Sequence, residues 1–386
     1  METVDPHSLG LDEERLRRLP AAIARDIDAG LYDGAVIAVS RHGKLVLHEA
    51  VGFADRAQGR QARTDDIFSL LSLSKTLTNI LVLNRCERGD LQLTMPVAEV
   101  IAEFGALGKQ RITVAHLLSH TGGLGGMPPV PLDSMPLDQA VAAICMLPPL
   151  SSPGEAVSYS GLAAHAVLAE LLRRVDGGQR SFRQILQEDL FGPLGMKDTS
   201  LGYSRGREER RVPIVVRDQS PGLLPPPMLE AYNQLLGEGT EVPAIGVFST
   251  AHDFHRFAEM LRRGGELDGV RLLSPLTLDL ATKNYTGDKV NELYTFARES
   301  LGWQEAPAFL GLGFSLRGDG VFPHHFGALA SPRTYGQFGA GSTVFWVDPA
   351  RDVCFVGLTA GLQEESNSLL RWQRLSDITL SSIIEP

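Results

Sequence analysis

A serine and a lysine stand three residues apart in an otherwise apolar run, as Ser72 and Lys75 of DIFSLLSLSKTLTNIL. If a helix begins near Ser72, the two side chains share one face of it, one turn apart. Apolar surroundings weaken the preference of a lysine for its charged form, so Lys75 could act as a base toward the Ser72 hydroxyl. The spacing predicts a nucleophilic serine, although S-x-x-K also arises by chance around a lysine that simply reaches solvent.

The elements that would position this pair follow from the pattern of apolar residues. Residues 35–40 and 45–51 are rich in β-formers and flank RHGK, which indicates an antiparallel hairpin. The run STVFWVDPARDVCFVGLTAG indicates two more strands around a turn at Asp348 and Pro349. Helical patterns cover residues 11–31 (with a kink or a break at Pro20), 72–88 and 369–383.

Strands at both chain ends with helices between them predict an α+β fold, in which one antiparallel sheet is interrupted by a helical insertion. We assign residues 1–90 and 244–386 to an α/β domain built from both chain ends. Residues 91–243, which include the proline-rich breaks MPPVPLDSMP and SPGLLPPPM, form the mainly helical insertion.

Composition excludes several classes of partner. The 386 residues carry a net charge of −10 and no basic stripe, which argues against nucleic acid or an anionic membrane surface. The N-terminal residues show no signal-peptide pattern, and no apolar run approaches the roughly 20 residues of a membrane span. The three cysteines, Cys86, Cys145 and Cys354, are widely spaced, as expected of reduced thiols in a cytoplasmic protein.

Longer segments resemble the superfamily of serine β-lactamases and penicillin-binding proteins. Within it, the chain resembles class C β-lactamases and the related family VIII-type esterases and acyltransferases. The resemblance implies a β-lactamase/transpeptidase-like fold and covers most of the chain. The segments that carry it follow in the family's order, namely IFSLLSLSKTLTNILVLNRCERGDLQL, RITVAHLLSHTGGL, SPGEAVSYSGLAAHAVLAELL, LFGPLGMKDTSL, STAHDFHRFAEMLRRGG and GLGFSL.

The resemblance implies three catalytic residues. Ser72 would be the acyl-accepting nucleophile, Lys75 its activating partner, and Tyr159 of the YSG segment the proton relay. A lysine ammonium beside a tyrosine favours the phenolate, so we expect the pKa of Tyr159 to lie below its ordinary value.

A third motif is expected in TYGQFGAGSTVFW, where the family usually has Lys or His, then any residue or Thr, then Gly. The alignment places Gln337, Phe338 and Gly339 there, within a residue or two. The resemblance then implies an oxyanion hole made by the backbone N–H groups of Ser72 and Ala340.

Two departures from the family pattern bear on the substrate. Gly161 stands where the family usually has an Asn that contacts a substrate amide, and Gln337 replaces a cation that helps to hold a substrate carboxylate. With Phe338 and Gly339, these positions make up the predicted substrate-binding residues. The departures argue against β-lactams and peptidoglycan, while the acyl-transfer machinery is intact.

The sequence therefore predicts a serine hydrolase that acts on a small carboxylic ester through a Ser72 acyl-enzyme, with no cofactor and no metal. One alternative is an acyltransferase that passes the acyl group to an alcohol or amine. Others are a β-lactamase or peptidase, and a non-catalytic binding member of the fold. The natural substrate and the oligomeric state stay open.

Two histidine pairs are further candidates for functional residues. His116 and His120 are spaced as metal ligands on a helix could be, but the rest of such a motif is missing, so no metal site is predicted. His324 and His325 precede the third motif, and they either line the acyl pocket or cap a turn.

Overall fold

The computed structural model describes residues 3–127, 130–222 and 224–385. Eleven α-helices lie within these residues: α1 (Glu13–Asp28), α2 (Ser74–Glu87), α3 (Val114–Leu118), α4 (Leu137–Cys145), α5 (Ala163–Val175), α6 (Phe182–Leu186), α7 (Pro226–Leu235), α8 (Ala251–Arg262), α9 (Pro275–Ala281), α10 (Thr295–Leu301) and α11 (Glu365–Leu380). The twelve strands of the same residues are β1 (Gly34–Arg41), β2 (Lys44–Asp55), β3 (Arg60–Gln61), β4 (Phe68–Ser69), β5 (Ser200–Leu201), β6 (Val247–Ser249), β7 (Glu266–Leu267), β8 (Val270–Arg271), β9 (Ser315–Leu316), β10 (Tyr335–Gly339), β11 (Thr343–Asp348) and β12 (Val353–Ala360).

Seven strands from the two ends of the chain form one antiparallel sheet. Their order is β3-β2-β1-β12-β11-β10-β9, so the hairpin predicted near the N-terminus pairs through β1 with the last strand of the chain. The antiparallel sheet flanked by helices confirms the predicted fold class.

Helices cover both faces of this sheet, because successive side chains of a strand point to opposite faces. Ile37, Val39 and Trp346 belong to the apolar cluster that packs against α1 and α11. Ala38 and Phe345 belong to the larger cluster on the other face, which includes residues of α8. Strands β1 and β12 are buried along their whole length for this reason.

Helices α1 and α11 differ from the sequence prediction in ways that matter for the fold and the site. Helix α1 runs unbroken through Pro20, whose side chain is buried on the apolar face of the helix. Helix α11 begins at Glu365, four residues before the predicted start, because the Glu364 carboxylate caps it by accepting from Ser366 N and Asn367 N. The earlier start brings Glu365 to the edge of the site described below.

Residues 91–243 contain α3 to α7 and the short strand β5, in agreement with the expected helical character. Strand β5 pairs with β6, which in turn pairs with β4, so a small three-stranded sheet connects this segment to the residues just before Ser72. The domain boundaries at residues 90 and 243 stay a prediction. Across the described residues, every helix is too short or too polar to cross a membrane.

Candidate active site

Ser72 lies in a tight turn between strand β4 and helix α2. The turn is a 3-10 helix over Leu71–Leu73, and Leu71 has a φ of 48°, in the left-handed region that side chains disfavour. Ser72 is partly exposed, whereas Leu71 and Leu73 on either side of it are buried. The turn therefore aims the serine into open space at some backbone cost, as is common for functional residues.

Lys75 approaches this serine from inside the protein. Its side chain is fully buried, and Nζ donates to Ser72 Oγ at 2.9 Å and to the carbonyl oxygen of Ala244 at 3.2 Å. Burial lowers the pKa of Lys75 from 10.5 to about 7, and no carboxylate among the described residues lies close enough to oppose this shift. Near neutral pH a substantial fraction of Lys75 is therefore the free amine, which can accept the serine proton.

Tyr159 lies beside the same lysine, with Lys75 Nζ 5.0 Å from the centre of its ring. The prediction that its pKa would be lowered is wrong. Burial raises the pKa of Tyr159 above its ordinary value, outweighing the opposing effect of the Ser72 side chain. The hydroxyl is buried with no hydrogen-bond partner of normal geometry, so Tyr159 is a neutral phenol that holds its proton.

The His120 side chain packs against the ring of Tyr159. The His120 ring stacks on the Tyr159 ring at 4.4 Å, and His120 Nδ1 accepts a hydrogen bond from Ser160 N at 3.0 Å. Burial, with a smaller contribution from Lys75, lowers the pKa of His120 to about 3.

His116, the other histidine of that pair, instead closes a capping box at the start of α3, accepting from Thr113 N at 3.1 Å. The described residues contain no group of side chains arranged to hold a metal ion.

The end of strand β10 lies directly against the serine turn. A Cβ added at Gly339 would stand 2.6 Å from the carbonyl oxygen of Leu70 and 3.2 Å from Ser72 N, so only glycine allows this approach. Thr343 Oγ1 fastens the contact by donating to the same Leu70 oxygen at 3.0 Å. The structure thus brings Ala340, the next residue along, to the same cavity as Ser72, as the predicted oxyanion hole requires.

The cavity above Ser72, hereafter the serine cavity, holds about 730 Å³ of space free of protein atoms, part of it open to solvent. Its walls are mostly apolar, and Glu365 is the one charged residue among its described lining residues. The lining residues are Leu71, Ser72, Gly126, Met127, Tyr159, Gly161, Leu162, Leu224, Leu229, Tyr232, Ile245, Tyr294, Phe338, Ala340 and Glu365.

Two of the predicted substrate-binding residues line the serine cavity, and two do not. Phe338 and Gly161 line it, and a Cβ at Gly161 would meet Met127 Sδ at 2.6 Å, so Met127 takes the space of a longer side chain. The side chain of Gln337 is buried away from the cavity, where its Oε1 accepts from Ser315 Oγ at 3.2 Å. Gly339 acts through its backbone approach to the turn, as described above.

A second cavity of about 760 Å³ meets the first at three shared side chains, Tyr159, Tyr294 and Phe338. We call it the histidine cavity, because His324 and His325 line it, and the His325 ring stacks on Phe338 at 3.7 Å. Both rings thus face the cavity next to the serine cavity, and His324 also caps a turn, since its Nδ1 accepts a hydrogen bond from Phe326 N at 3.2 Å. Its lining residues are Tyr159, Asn291, Tyr294, Arg298, Trp303, Gln304, Ala306, Pro307, Ala308, Leu310, Ser315, Phe322, Pro323, His324, His325, Phe338 and Leu369.

Glu365 is a residue of the site that was not predicted from the sequence. Burial, and secondly the charge of Glu364, raises the pKa of Glu365 to about 7, while a backbone hydrogen bond from Gly341 opposes the shift. The available signal was the acidic pair in GLQEESN, directly after the last strand, which is typical of a helix start. Placing that start near residue 369 left Glu365 in a loop.

Several known proteins resemble this chain in sequence or in fold. The chain is 31% identical over 228 residues to the esterase EstB of Burkholderia gladioli, a match that spans 54% of this chain and 57% of EstB. It is 29% identical over 373 residues to protein Rv1367c of Mycobacterium tuberculosis, spanning 88% of each chain. The solved structure of EstCE1, described as a hydrolase with promiscuous acyltransferase activity, superimposes with a TM-score of 0.76 at 22% identity, covering 94% of this chain and 98% of EstCE1. The β-lactamase family model matches residues 20–379, and the chain therefore belongs to the β-lactamase family, whose members include esterases and acyltransferases.

Proposed function

We propose that the protein hydrolyses small carboxylic esters through an acyl-enzyme on Ser72. The observation that carries the proposal is the 2.9 Å contact between Lys75 Nζ and Ser72 Oγ, in which the lysine is fully buried and the serine lines an apolar cavity. A binding protein has no need for a lysine held at this cost, because burying it without a carboxylate partner destabilises the fold.

Acylation begins with the free amine of Lys75. It takes the proton of the Ser72 hydroxyl as Oγ forms a bond to the ester carbonyl carbon, and the negative charge moves to the carbonyl oxygen. That oxygen is held by the backbone N–H groups of Ser72 and Ala340. When the carbon–oxygen bond to the alcohol breaks, the leaving oxygen takes a proton from Tyr159, which recovers one from the Lys75 ammonium. The raised pKa of Tyr159 suits this donor role, since a phenolate would have no proton to give.

Deacylation reverses these roles. A water molecule attacks the acyl carbon and passes a proton through Tyr159 to Lys75, and the acid leaves as Ser72 Oγ regains its proton. Both steps use only side-chain and backbone groups of this protein, and the reaction balances with the ester and water as the only reactants.

An ester fits the serine cavity better than a β-lactam or a peptide with a free carboxylate. The side chain of Gln337, at the position of the family's cation, lies buried against Ser315, and the charged residue that does line the cavity is the acidic Glu365. A substrate carboxylate would therefore find no cation at position 337 and would be repelled by Glu365.

A second candidate, acyl transfer to an alcohol or amine, is favoured by the histidine cavity. It opens beside Tyr159, the residue that would take the proton of an incoming nucleophile, and it is about as large as the serine cavity. A bound acceptor there would compete with water for the acyl-enzyme. The description of EstCE1 as a hydrolase with acyltransferase activity is in keeping with this second candidate.

A time course with p-nitrophenyl acetate and butyrate beside a chromogenic cephalosporin tests the proposal, with Ser72→Ala as the control. The proposal predicts ester turnover that disappears in Ser72→Ala, and little turnover of the cephalosporin. Adding a primary alcohol or amine and measuring the transferred ester or amide separates hydrolysis from acyl transfer. Rapid cephalosporin hydrolysis, or ester turnover that survives in Ser72→Ala, would overturn the proposal.

We propose that the protein acts in the cytoplasm on a small ester. All three cysteines are free thiols, which supports a reducing compartment. Cys145 and Cys354 are buried, and burial raises the pKa of both thiols, so neither is a reactive nucleophile.

A further inference from the structure

On the proposed chemistry, the two cavities bind different parts of the ester substrate. The serine cavity contains Ser72 and Ala340, the groups that hold the carbonyl, whereas the described lining of the histidine cavity contains neither. Tyr159, which gives its proton to the leaving oxygen, faces both. An ester bound at Ser72 therefore extends its alcohol part past Tyr159 into the histidine cavity and keeps its acyl chain in the serine cavity.

Glu365 is the charged group that an acyl chain meets. It is partly buried in the wall of the serine cavity, and its carboxylate is near enough to raise the pKa of both Tyr159 and Tyr294. The charge thus acts on the interior of the site as well as on its rim.

Little in the surrounding protein cancels this charge. Arg371, six residues further along α11, attracts it only weakly, and the Nη2 of Arg371 donates to the carbonyl oxygen of Gly341 and to Ser368 Oγ, both at 3.1 Å. Gly341 supplies one backbone hydrogen bond. A carboxylate in apolar walls with so little compensation interacts strongly with any charge brought beside it.

We infer that Glu365 is a specificity-determining residue, which selects acyl groups that end in a neutral or cationic group and rejects acyl groups that end in a carboxylate. The inference rests on the proposed function and names its substrate class: esters of neutral or amino-bearing acids. An ammonium or a hydrogen-bond donor at the far end of the acyl chain would pair with Glu365, whereas a carboxylate would be repelled.

Three p-nitrophenyl esters of equal chain length test the inference, made from caproate, ε-aminocaproate and adipate. Their leaving group is the same, so a difference in kcat/KM reports the terminal methyl, ammonium or carboxylate of the acyl chain. Wild type, Glu365→Gln and Glu364→Gln are compared at a pH well above the pKa of Glu365. Glu364→Gln is the matched control, because it removes the same charge one residue away, from a side chain that does not line the serine cavity.

The expected result is that wild type and Glu364→Gln prefer the ε-aminocaproate ester over the adipate ester, and that Glu365→Gln reduces this preference by about tenfold or more. An equal preference in wild type and Glu365→Gln, with the caproate ester still hydrolysed, would overturn the inference and leave the proposed function standing. Failure of wild type to hydrolyse any of the three esters would overturn the proposed function itself. If Glu365→Gln does not fold, wild type alone decides, since equal rates on the ε-aminocaproate and adipate esters contradict the inference.

Discussion

Lys75 Nζ reaches Ser72 Oγ at 2.9 Å from a position with no exposed surface, and none of the carboxylates that the structure describes pairs with it. The lysine is therefore held partly deprotonated by burial, which is the state in which it can serve as a base. The same burial opposes folding, because the unfolded chain solvates the ammonium freely. Activity and stability are thus in conflict at this residue.

Lys75→Met should abolish acylation and yet stabilise the fold. The fall in the pKa of Lys75 from 10.5 to about 7 is equivalent to roughly 5 kcal/mol of lost stability. Methionine removes this cost but cannot make the hydrogen bonds of Nζ, so the stability gained is smaller than about 5 kcal/mol. We expect a net gain of about 2 kcal/mol in the free energy of unfolding at neutral pH, measured by denaturant titration. Lys109→Met, at a buried lysine outside both cavities, is the control and should leave acylation in place.

The gain in the free energy of unfolding of Lys75→Met should also depend on pH. The unfolded chain keeps the Lys75 proton up to about pH 10.5, whereas the folded chain loses it near pH 7. The difference in stability between Lys75→Met and wild type should therefore be full below pH 7 and shrink as the pH rises toward 10.5. A difference that stays constant over that range would contradict the account of the buried amine.

Tyr159→Phe should matter only when the leaving group needs a proton. We expect kcat/KM to fall roughly 10²–10³-fold on a simple alkyl ester and far less on a p-nitrophenyl ester, whose leaving phenolate is stable without a proton. Tyr203→Phe is the matched control, since its hydroxyl is also buried without a hydrogen-bond partner but lies outside the site. Equal losses on both esters in Tyr159→Phe would show that the hydroxyl is not the proton donor.

The rate on an uncharged ester should increase with pH up to about 7 and then level off. Only the free amine of Lys75 can accept the serine proton, so kcat/KM should rise about tenfold per pH unit below the pKa. Glu365 titrates in the same range, but the charge it gains would oppose the oxyanion. Glu365→Gln should therefore keep the rising limb, and losing that limb would assign it to Glu365 instead of Lys75.

Gly339→Ala should damage the site through the backbone. The added Cβ would press on the Leu70 carbonyl and on Ser72 N, and moving β10 away would open the oxyanion hole. We expect kcat to fall roughly 10²-fold, with a loss of about 2 kcal/mol in the free energy of unfolding. Gly237→Ala is the control, since its Cβ would meet no atom closer than 3.8 Å. Unchanged kcat in Gly339→Ala would place the oxyanion hole elsewhere.

The sequence was sufficient for features that depend on neighbours along the chain. Runs of β-forming residues around turns predicted β1, β2, β11 and β12, and the Ser72–Lys75 pair needs only a helical turn to meet. Gly339 could be placed near Ser72 only through the resemblance to the family, because strands far apart in the sequence bring them together.

Features that depend on burial and on contacts between distant segments could not be predicted from the sequence. The neutral state of Tyr159 follows from packing around its hydroxyl, which no local pattern records. The direction of the Gln337 side chain is set by strand register, where a shift of one residue exchanges the two faces. Glu365 joins the site only because α11 begins against the loop that follows β10, a contact between separate segments.

The most direct test of the central claim is intact-mass measurement after treatment with a fluorophosphonate probe, followed by peptide mapping. An activated serine displaces fluoride from phosphorus and forms a stable adduct, so the reaction requires no knowledge of the natural substrate. The account predicts one probe group per chain, on the peptide that contains Ser72, and none in Ser72→Ala or Lys75→Met. An adduct on another residue, or an unmodified wild-type protein under conditions that label a known serine esterase, would contradict it.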